Sequence, residues 1–375
     1  MPPTRPPAPP PPDRPRRIHA LIPVHRRATV AETIDSLRRQ TRPPEEIVAV
    51  VNNCRDDTAA VARAAGARVI EMPINPGLKA GAINHGLALL DAELGDDDAV
   101  FVMDADTTLA PVFFAEAERR LADPAVGGVG GSFYAATEDN LLRVVQGNEY
   151  ARYVRQISRR PLARANVLTG AGAMFRVGVL REVRRARDEG RLPGTGYYQT
   201  GVLTEDNELS LAIQRLGYRI VSPKACALYT EAPATLGELW HQRVRWRRGA
   251  LENLRDHGLN RTTWPYLTKT CWTAFVTLLS LLYLGLIAGI AATDAGSLRW
   301  QPFWIGVFLV YLADRVWTCR GRGARPTAVA LCAPIEIAYD LFQQLVFIAA
   351  CYRFARRSDQ RWAPPDPEGA PCTAR

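Results

Sequence analysis

Short apolar runs alternate with amphipathic stretches along the N-terminal third of the chain. The apolar runs are rich in valine, isoleucine and alanine and lie at 18–24, 45–53, 67–73 and 98–106. The stretches with helical spacing lie at 28–40, 56–66 and 78–92. Short buried strands that alternate with helices are typical of a parallel sheet. The pattern therefore predicts the first half of a doubly wound α/β domain.

The pattern changes after Leu259, where long apolar stretches begin. Residues 270–293 contain no charged side chain and are long enough to cross the hydrocarbon core of a bilayer as a helix. Two weaker apolar stretches follow at 300–318 and 326–352, both interrupted by charges. We expect a proline-rich tail at 1–17, an α/β domain at 18–260, a membrane region of two or three helices at 266–352, and a second tail at 353–375.

The depth of the third apolar stretch depends on its charges. Glu336 and Asp340 lie one helical turn apart and Gln343 follows, which predicts a polar stripe suited to an interfacial or helix-packed position. If the α/β domain is cytoplasmic, two spans place the basic segment 319–326 on the cytoplasmic side, as positive charges prefer. A third span would place the basic segment 353–361 outside. We therefore expect two spans and a third segment of undetermined depth.

Composition limits the classes of function. A hydrophobic content of 47% excludes a wholly disordered chain, and the net charge of +9 favours anionic partners. Only Lys79, Lys224 and Lys269 of the 47 basic residues are lysines, so the arginine excess is weak evidence for phosphate recognition. Seven cysteines without a C-x-x-C pair indicate neither a disulfide framework nor a zinc site. The first residues have no apolar core of signal-peptide type, so secretion by a cleaved signal is not expected.

Two pairs of acids are candidates for chemistry. Asp104 and Asp106 end a predicted strand, and their oxygens suit Mg²⁺ or Mn²⁺ carrying a diphosphate, although a loop with solvated acids is the alternative. Glu205 and Asp206 precede an amphipathic helix. Asp206 is a candidate general base, and the alternative is simple capping by Thr204 with Asn207 or Glu208.

The segment 237–249 is dense in arginine and tryptophan. On a helix, Gln242, Arg245 and Trp246 share one face, where an amide, a guanidinium and a flat ring suit a sugar beside a diphosphate. The alternative is a basic membrane-surface helix. We expect Arg247 and Arg248 to lie on other faces and to serve lipid headgroups.

Residues 18–260 resemble the processive-type family 2 glycosyltransferases, which include the cellulose, chitin and hyaluronan synthases. The motifs occur in the family's order: DAD at 104, TED at 204 and QRVRW at 242. The resemblance implies a GT-A fold with a mixed sheet, a nucleotide diphosphate sugar as donor, and inversion at the anomeric carbon. It implies catalytic Asp206 and Glu205, metal ligands Asp106 and Asp104, donor contacts from Pro23, Asn53, Lys79 and Asp104, and acceptor or diphosphate contacts from Gly170, Ala171, Gly172, Gln242, Arg245 and Trp246.

The chain departs from its relatives near the donor base. Many relatives carry an aspartate pair where Asn52 and Asn53 stand, and "PVHRR" at 23–27 lacks an acid found near the ribose. An asparagine oxygen can still accept the uracil N3 proton, but its amide can also donate. A UDP-sugar is still the favoured donor, but the sequence supports it less strongly than in those relatives.

These observations predict a membrane-bound, multi-pass hexosyltransferase with a cytoplasmic catalytic domain at the cell membrane. It would form a β-glycosidic bond to a glycan or lipid-linked acceptor. Because two or three spans per chain are few for a polysaccharide channel, a homo-oligomer is one way to build the channel. A non-catalytic membrane adaptor that kept the fold is the alternative. Nucleic-acid binding is disfavoured, because the four acids would repel phosphates.

Overall fold

The computed structural model describes residues 16–25, 29–54, 56–293 and 302–357. The two predicted tails therefore lie almost entirely outside the described residues. Arg26 and Arg27, in the segment after the first strand, also lie outside the described residues.

The N-terminal elements follow the predicted alternation of strands and helices. They are β1 (Ile18–Val24), α1 (Val30–Arg38), β2 (Glu46–Asn52), α2 (Thr58–Ala64), β3 (Arg68–Met72), α3 (Leu78–Leu90) and β4 (Ala99–Met103). The rest of the α/β domain consists of β5 (Thr107–Leu109), α4 (Phe113–Leu121), β6 (Val126–Gly130), β7 (Ser132–Ala135), α5 (Leu141–Ser158), β8 (Gly172–Arg176), α6 (Val177–Asp188), α7 (Glu205–Arg215), β9 (Arg219–Val221), β10 (Ala227–Thr230) and α8 (Leu236–His257). The predicted strands and helices of the first half are confirmed.

The described residues form a seven-stranded sheet in the order β3-β2-β1-β4-β8-β6-β9. Strand β8 runs antiparallel to both of its neighbours, while the other pairs are parallel, so the sheet is mixed as expected. Along β1, Ala20 and Ile22 join one hydrophobic cluster with α1 and α4, and Leu21 joins another with α3 and α7. This alternation places helices on both faces of the sheet.

A second, three-stranded sheet has the order β5-β10-β7. It was not predicted from the sequence, because strands of three or four residues are too short to show a period.

After the α/β domain, the described residues form four α-helices: α9 (Trp264–Thr293), α10 (Pro302–Cys319), α11 (Ala324–Leu331) and α12 (Ala333–Ala355). Within the described residues, α9 and α12 are long and apolar enough to cross a membrane. The pair differs from the expected one, since α10 rather than α12 was expected to join α9 as a span. Most large side chains of α9 and α10 are exposed, which leaves both helices free to contact lipid.

Helix α12 nevertheless packs on the α/β domain along its length. Near its start Phe342 contacts Trp240 of α8, further along Val346 packs on Val244, and near its end the guanidinium of Arg255 lies over Phe354. The two helices therefore run side by side in the same direction.

The polar stripe of α12 faces α5 of the domain and α10. Glu336 is fully buried, with an oxygen 3.2 Å from Arg152 of α5 and 3.0 Å from Arg315 of α10. Asp340 lies 2.6 Å from Arg315. The expected helix-packed position of this stripe is confirmed.

The basic segment after α10 also lies against the α/β domain. Arg322 pairs with Glu138, and Arg325 donates to the carbonyl oxygens of Glu138 and Asp139. At the first turn of α9, the hydroxyl of Tyr266 donates to the carbonyl of Asn166. The start of α9 and the end of α10 thus lie on the same side as the domain.

Substitution of Glu336 tests the packing of α12. Glu336→Ala should lower the free energy of unfolding by about 3 kcal/mol, because Arg152 loses its carboxylate partner inside the interface. Asp314→Ala is the control, since its exposed pair with Arg155 should contribute at most about 1 kcal/mol. Denaturant unfolding in detergent measures both, and equal small losses would contradict the buried role of Glu336.

Candidate active site

A cavity opens beyond the carboxyl ends of the central strands, where the segments after β2, β3 and β4 were expected to meet. Its polar lining consists of Lys79, Thr169, Gly170, Tyr198, Glu205 and Asp206. These residues come from α3, the loop before β8, the loop after α6 and the start of α7. Of the three segments expected there, the one after β3 lines the cavity through Lys79, and Asp104 after β4 lies 2.7 Å from Lys79 Nζ.

Lys79 lies at the centre of this cavity. Its Nζ is 2.7 Å from Asp104 Oδ1 and 3.1 Å from Glu205 Oε1, and it donates to the carbonyl of Gly170 at 3.2 Å. Burial alone would lower the pKa of Lys79, but the charges of Asp104 and Glu205 outweigh it and raise that pKa. Lys79 therefore stays charged and joins three segments of the chain.

Asp206 is held by two backbone groups. Its Oδ2 accepts from the N–H of Gly170 at 2.9 Å, and its Oδ1 accepts from the N–H of Asn207 at 2.8 Å. Burial and the charge of Glu205 raise the pKa of Asp206 to about 6, against the opposing effects of Lys79 and of these N–H groups. Glu205 differs: burial raises its pKa, but the charge of Lys79 together with hydrogen bonds to this carboxylate lowers the pKa below its ordinary value. The two neighbouring acids thus differ in basicity, and Asp206 suits proton abstraction near neutral pH.

Simple helix capping does not describe this segment. Thr204 occupies the N-cap position of α7 but makes no side-chain cap bond. Its hydroxyl instead accepts from Asn253 of α8 at 3.1 Å. Glu208 is fully buried against Arg187 and His257, which excludes it from a capping box.

The carboxylates after β4 offer hard oxygen ligands. Asp104 and Asp106 have partly exposed side chains, and Asp104 lies against Lys79, which lines the cavity. Burial raises the pKa of Asp104, and Lys79 opposes this. The repulsion between the two acids does not by itself require a metal, because Lys79 already lies against Asp104. The donor set still fits a divalent cation such as Mg²⁺ or Mn²⁺.

The asparagines near the predicted donor base bind each other. Asn53 has a φ of +53°, donates to the carbonyl of Asn75 at 3.1 Å, and accepts from its N–H at 3.0 Å. Asn75 in turn donates to the carbonyl of Leu78 at 2.6 Å, where φ is +51°. Pro23 is buried near the end of β1 and pairs with Val50. These contacts fix the backbone that leads into Lys79.

Only one of the three residues expected in the acceptor loop faces the cavity. A Cβ at Gly170 would lie 3.0 Å from Lys79 Nζ. A Cβ at Gly172 would instead lie 2.9 Å from Leu228 and 3.1 Å from Phe101, inside the core. Ala171 also belongs to the core. The structure thus assigns Gly172 and Ala171 to packing.

Helix α8 carries the arginine- and tryptophan-rich segment. It begins with a capping box in which the Thr235 and Glu238 side chains satisfy each other's N–H groups. Arg245 donates to the carbonyl of Leu203 at 3.3 Å and acts electrostatically on Glu205. The structure thus brings Arg245 to the start of α7.

The other two residues of this face, Gln242 and Trp246, have surroundings outside the cavity lining. The guanidinium of Arg243 lies 4.5 Å from the Trp246 ring centre, and Arg243 also pairs with Glu149 at 2.9 Å. The amide oxygen of Gln242 is buried and accepts no hydrogen bond from the described residues. Neither Gln242 nor Trp246 lines the cavity.

One expectation for α8 is wrong. Arg248 is buried and pairs with Glu252 at 2.7 Å, so it does not serve lipid headgroups. Arg247 is exposed, as expected. The sequence could have shown this difference, since Arg248 and Glu252 stand four residues apart.

Sequence analysis missed two tyrosines at the site. Tyr198 lines the cavity, and its backbone is held by Asn84, which donates to its carbonyl at 2.7 Å. Tyr153 of α5 lies within electrostatic range of both Asp206 and Arg160, and burial raises its pKa. Neither tyrosine belongs to a motif, so no local signal in the sequence pointed to them.

Comparison with known proteins defines the family. Residues 15–249 match the model of the family described as glycosyltransferase like family 2. The chain belongs to glycosyltransferase family 2. Its DAD, TED and QRVRW motifs all lie within the matched range, so the family predicted from them is confirmed.

Two relatives of this glycosyltransferase are poly-β-1,6-N-acetyl-D-glucosamine synthases of Staphylococcus epidermidis. One is 28% identical over 246 residues, which are 63% of this chain and 54% of the relative. The other is 26% identical over 299 residues, which are 77% of this chain and 62% of the relative. The glycosyltransferase thus spans little more than half the length of these relatives.

A solved structure resembles the whole fold. The mannosyltransferase PcManGT from Pyrobaculum calidifontis, in complex with GDP-Man and Mn²⁺, superposes with a TM-score of 0.53 at 19% identity. The match covers 95% of this chain and 92% of PcManGT. The glycosyltransferase therefore has a GT-A-like α/β domain with a mixed sheet, followed by C-terminal helices.

Gly170 tests the geometry around Lys79 and Asp206. Gly170→Ala should lower glycosyl transfer by about tenfold or more, because the added methyl group lies 3.0 Å from Lys79 Nζ and 3.3 Å from Asp206 Oδ2. Its thermal midpoint should stay unchanged. Gly201→Ala is the matched control, since a Cβ there has no neighbour within 4 Å. Equal transfer rates in the two variants would refute the close approach.

Proposed function

We propose that the protein is an inverting hexosyltransferase that moves a sugar from a nucleotide diphosphate sugar to an acceptor hydroxyl and forms a β-glycosidic bond. The observation that carries the proposal is Asp206, a buried carboxylate with a pKa of about 6 that lines the cavity beside Lys79. A base of this strength is partly ionised near neutral pH and can accept a hydroxyl proton.

The reaction is a single displacement. Asp206 takes the proton of the acceptor hydroxyl as its oxygen attacks C1 of the donor sugar, and the bond from C1 to the diphosphate breaks. Glu205 holds Lys79 in place, and Lys79 and Arg245 place positive charge near the leaving group. The catalytic role thus falls to Asp206, with Glu205 as its positioning neighbour.

We assign the divalent cation to Asp106, with Asp104 beside it. Their partly exposed carboxylates after β4 provide the oxygen ligands that Mg²⁺ and Mn²⁺ prefer. When bound, the metal would neutralise charge on the donor diphosphate. PcManGT, with the same type of fold, carries Mn²⁺ together with its donor.

A UDP-sugar is the favoured donor, bound across Pro23, Asn53, Lys79 and Asp104. The relatives are named for a polymer of N-acetyl-D-glucosamine, which makes UDP-N-acetylglucosamine the first donor to test. Asn53 keeps one lone pair and one N–H beyond its bonds to Asn75, enough to pair with a base edge.

The acceptor enters between the cavity and α8. Gly170 allows close approach, and Arg245 faces the diphosphate. Gln242 and Trp246 lie outside the cavity lining, so their contact with the acceptor sugar would be beyond the cavity. Tyr153 adds an aromatic surface near Asp206. The acceptor is a glycan or a lipid-linked sugar.

The membrane arrangement follows from contacts with the domain. Helices α9 and α10 leave and return as a hairpin, because both Tyr266 and Arg322 bind the α/β domain. Helix α12 lies on the domain surface along α8 and does not cross. The positive charge of loop 320–325 favours a cytoplasmic position for the domain and this loop. A homo-oligomer would enlarge the small membrane region.

A non-catalytic adaptor would not need this group of partly buried acids. Lys79, Asp104, Glu205 and Asp206 are brought together in a cavity where their charges cost desolvation energy. Such a cluster is typical of catalysis.

The pH dependence of transfer tests the base. The ratio kcat/KM should fall about tenfold per pH unit below about pH 6, because the ionised fraction of Asp206 falls at that rate below its pKa. Asp206→Asn should lower transfer by about 10²-fold or more at pH 7.5. Exposed Asp188→Asn is the control. The assay measures released nucleoside diphosphate with UDP-N-acetylglucosamine and other nucleotide sugars. An Asp206→Asn enzyme with wild-type activity would refute the assignment.

Cysteine labelling tests the hairpin. In a chain without its seven native cysteines, Gly321→Cys should react with an impermeant maleimide only after the membrane is opened, because this exposed loop lies on the domain side. Thr293→Cys, at the far end of α9, should react in intact cells. Equal labelling of the two sites in intact cells is incompatible with the hairpin.

A further inference from the structure

A group of basic side chains lies between Asp206 and the start of α9. We call Arg160, Arg164, Arg247 and Lys269 the cationic cluster. They come from the loop after α5, from α8 and from α9, so the tertiary fold and not the local sequence brings them together. Arg164, Arg247 and Lys269 are exposed, which leaves the cluster open to a ligand.

Hydrogen bonds fix the geometry of this cluster. Arg160 donates to the side-chain oxygen of Asn166 at 3.0 Å, and the carbonyl of Asn166 accepts from the Tyr266 hydroxyl. Gln214 of α7 donates to Tyr266 Oη at 2.7 Å and to the same carbonyl at 3.0 Å. Lys269 follows Tyr266 by three residues and so lies on the same face of α9.

Lys269 lies within electrostatic range of Arg160 and Arg247. In the described part of the chain, no carboxylate oxygen lies within salt-bridge distance of any member of the cluster. Glu149 acts electrostatically on Arg247, but it is already bound to Arg243 at 2.9 Å and to the Tyr339 hydroxyl at 2.6 Å. The cluster therefore has positive charge without a protein counter-ion.

The position of the cluster identifies the kind of anion. Residues 270–293 are uncharged, so Lys269 marks the level at which α9 enters the bilayer. Lipid phosphates lie at this level. On the other side, Arg160 binds Asn166, whose carbonyl accepts from Gln214 of α7, the helix that begins with Glu205 and Asp206. Tyr153 lies within electrostatic range of both Arg160 and Asp206.

We infer that the acceptor is a sugar joined through phosphate to a membrane lipid, with its phosphate bound by Arg160, Arg247 and Lys269 and its sugar hydroxyl at Asp206. The inference rests on the proposed glycosyl transfer and selects between its two acceptor classes. The hydroxyl oxygen bonds to C1 of the donor sugar, its proton goes to Asp206, and the nucleoside diphosphate leaves with the electrons of the broken bond.

Lipid binding tests the inference without a need to know the sugar. Full-length protein in phosphatidylcholine nanodiscs should bind polyprenyl phosphate more tightly than the polyprenol of equal length. Lys269→Gln and Arg160→Gln should each raise the Kd for polyprenyl phosphate about tenfold or more, because each removes a charge-assisted contact. The affinity for polyprenol should not change.

Two exposed basic residues outside the cluster serve as matched controls. Arg159→Gln and Lys224→Gln remove the same charge but should change the Kd by less than about twofold. Equal effects of cluster and control variants would overturn the inference, as would equal affinities for polyprenyl phosphate and polyprenol. Lys269 is exposed, so its variant should fold even if Arg160→Gln does not.

A third lipid separates the acceptor from the bulk membrane. If phosphatidylglycerol displaces polyprenyl phosphate mole for mole, the cluster binds ordinary headgroups and the inference fails. Donor turnover is measured in the same samples. If no donor is turned over with any metal, the proposed transfer is refuted. Selective binding of polyprenyl phosphate depends only on the cluster, so the two failures can be told apart.

Discussion

The ammonium group of Lys79 lies among carboxylates from two distant parts of the chain, Asp104 after β4 and Glu205 at the start of α7. Because like charges in a cavity repel, these elements could not approach so closely without a cation between them. The backbone before Lys79 is fixed in turn by Asn75, which holds Leu78 in the left-handed region. The position of one side chain therefore links the donor side of the cavity to the catalytic helix.

A second buried carboxylate joins the catalytic helix to its surroundings. Glu208, one turn after Glu205, pairs with Arg187 and with His257 at the end of α8. Arg187 also donates to the carbonyl of Tyr197 at 3.0 Å, beside Tyr198 in the cavity. Since α12 packs on α8, a continuous series of contacts runs from the membrane region to Asp206.

The sequence was sufficient to predict the strands and helices of the first half, the crevice, and the approach of Arg245 to the acids. Those predictions rest on periodicity and on motifs whose residues are neighbours in the chain. The small second sheet, Tyr153 and the burial of Arg248 depend on tertiary contacts, which periodicity does not report. Gly172 shows the same limit, because a glycine required by core packing looks in the sequence like one required by a ligand.

The arginine excess has a structural use in this chain. Four arginines pair with carboxylates at the contact between the α/β domain and the C-terminal helices. Two of these pairs cross the contact, those of Arg152 and Arg322. The other two join helices on one side of it, those of Arg243 and Arg315. A guanidinium can bind several oxygens at once and is weakly hydrated, so it suits such interfaces better than an ammonium. Basic residues that serve packing are thus neutralised by acids. Net charge does not separate these arginines from the cationic cluster beside α9, whose members have no carboxylate oxygen within salt-bridge distance among the described residues.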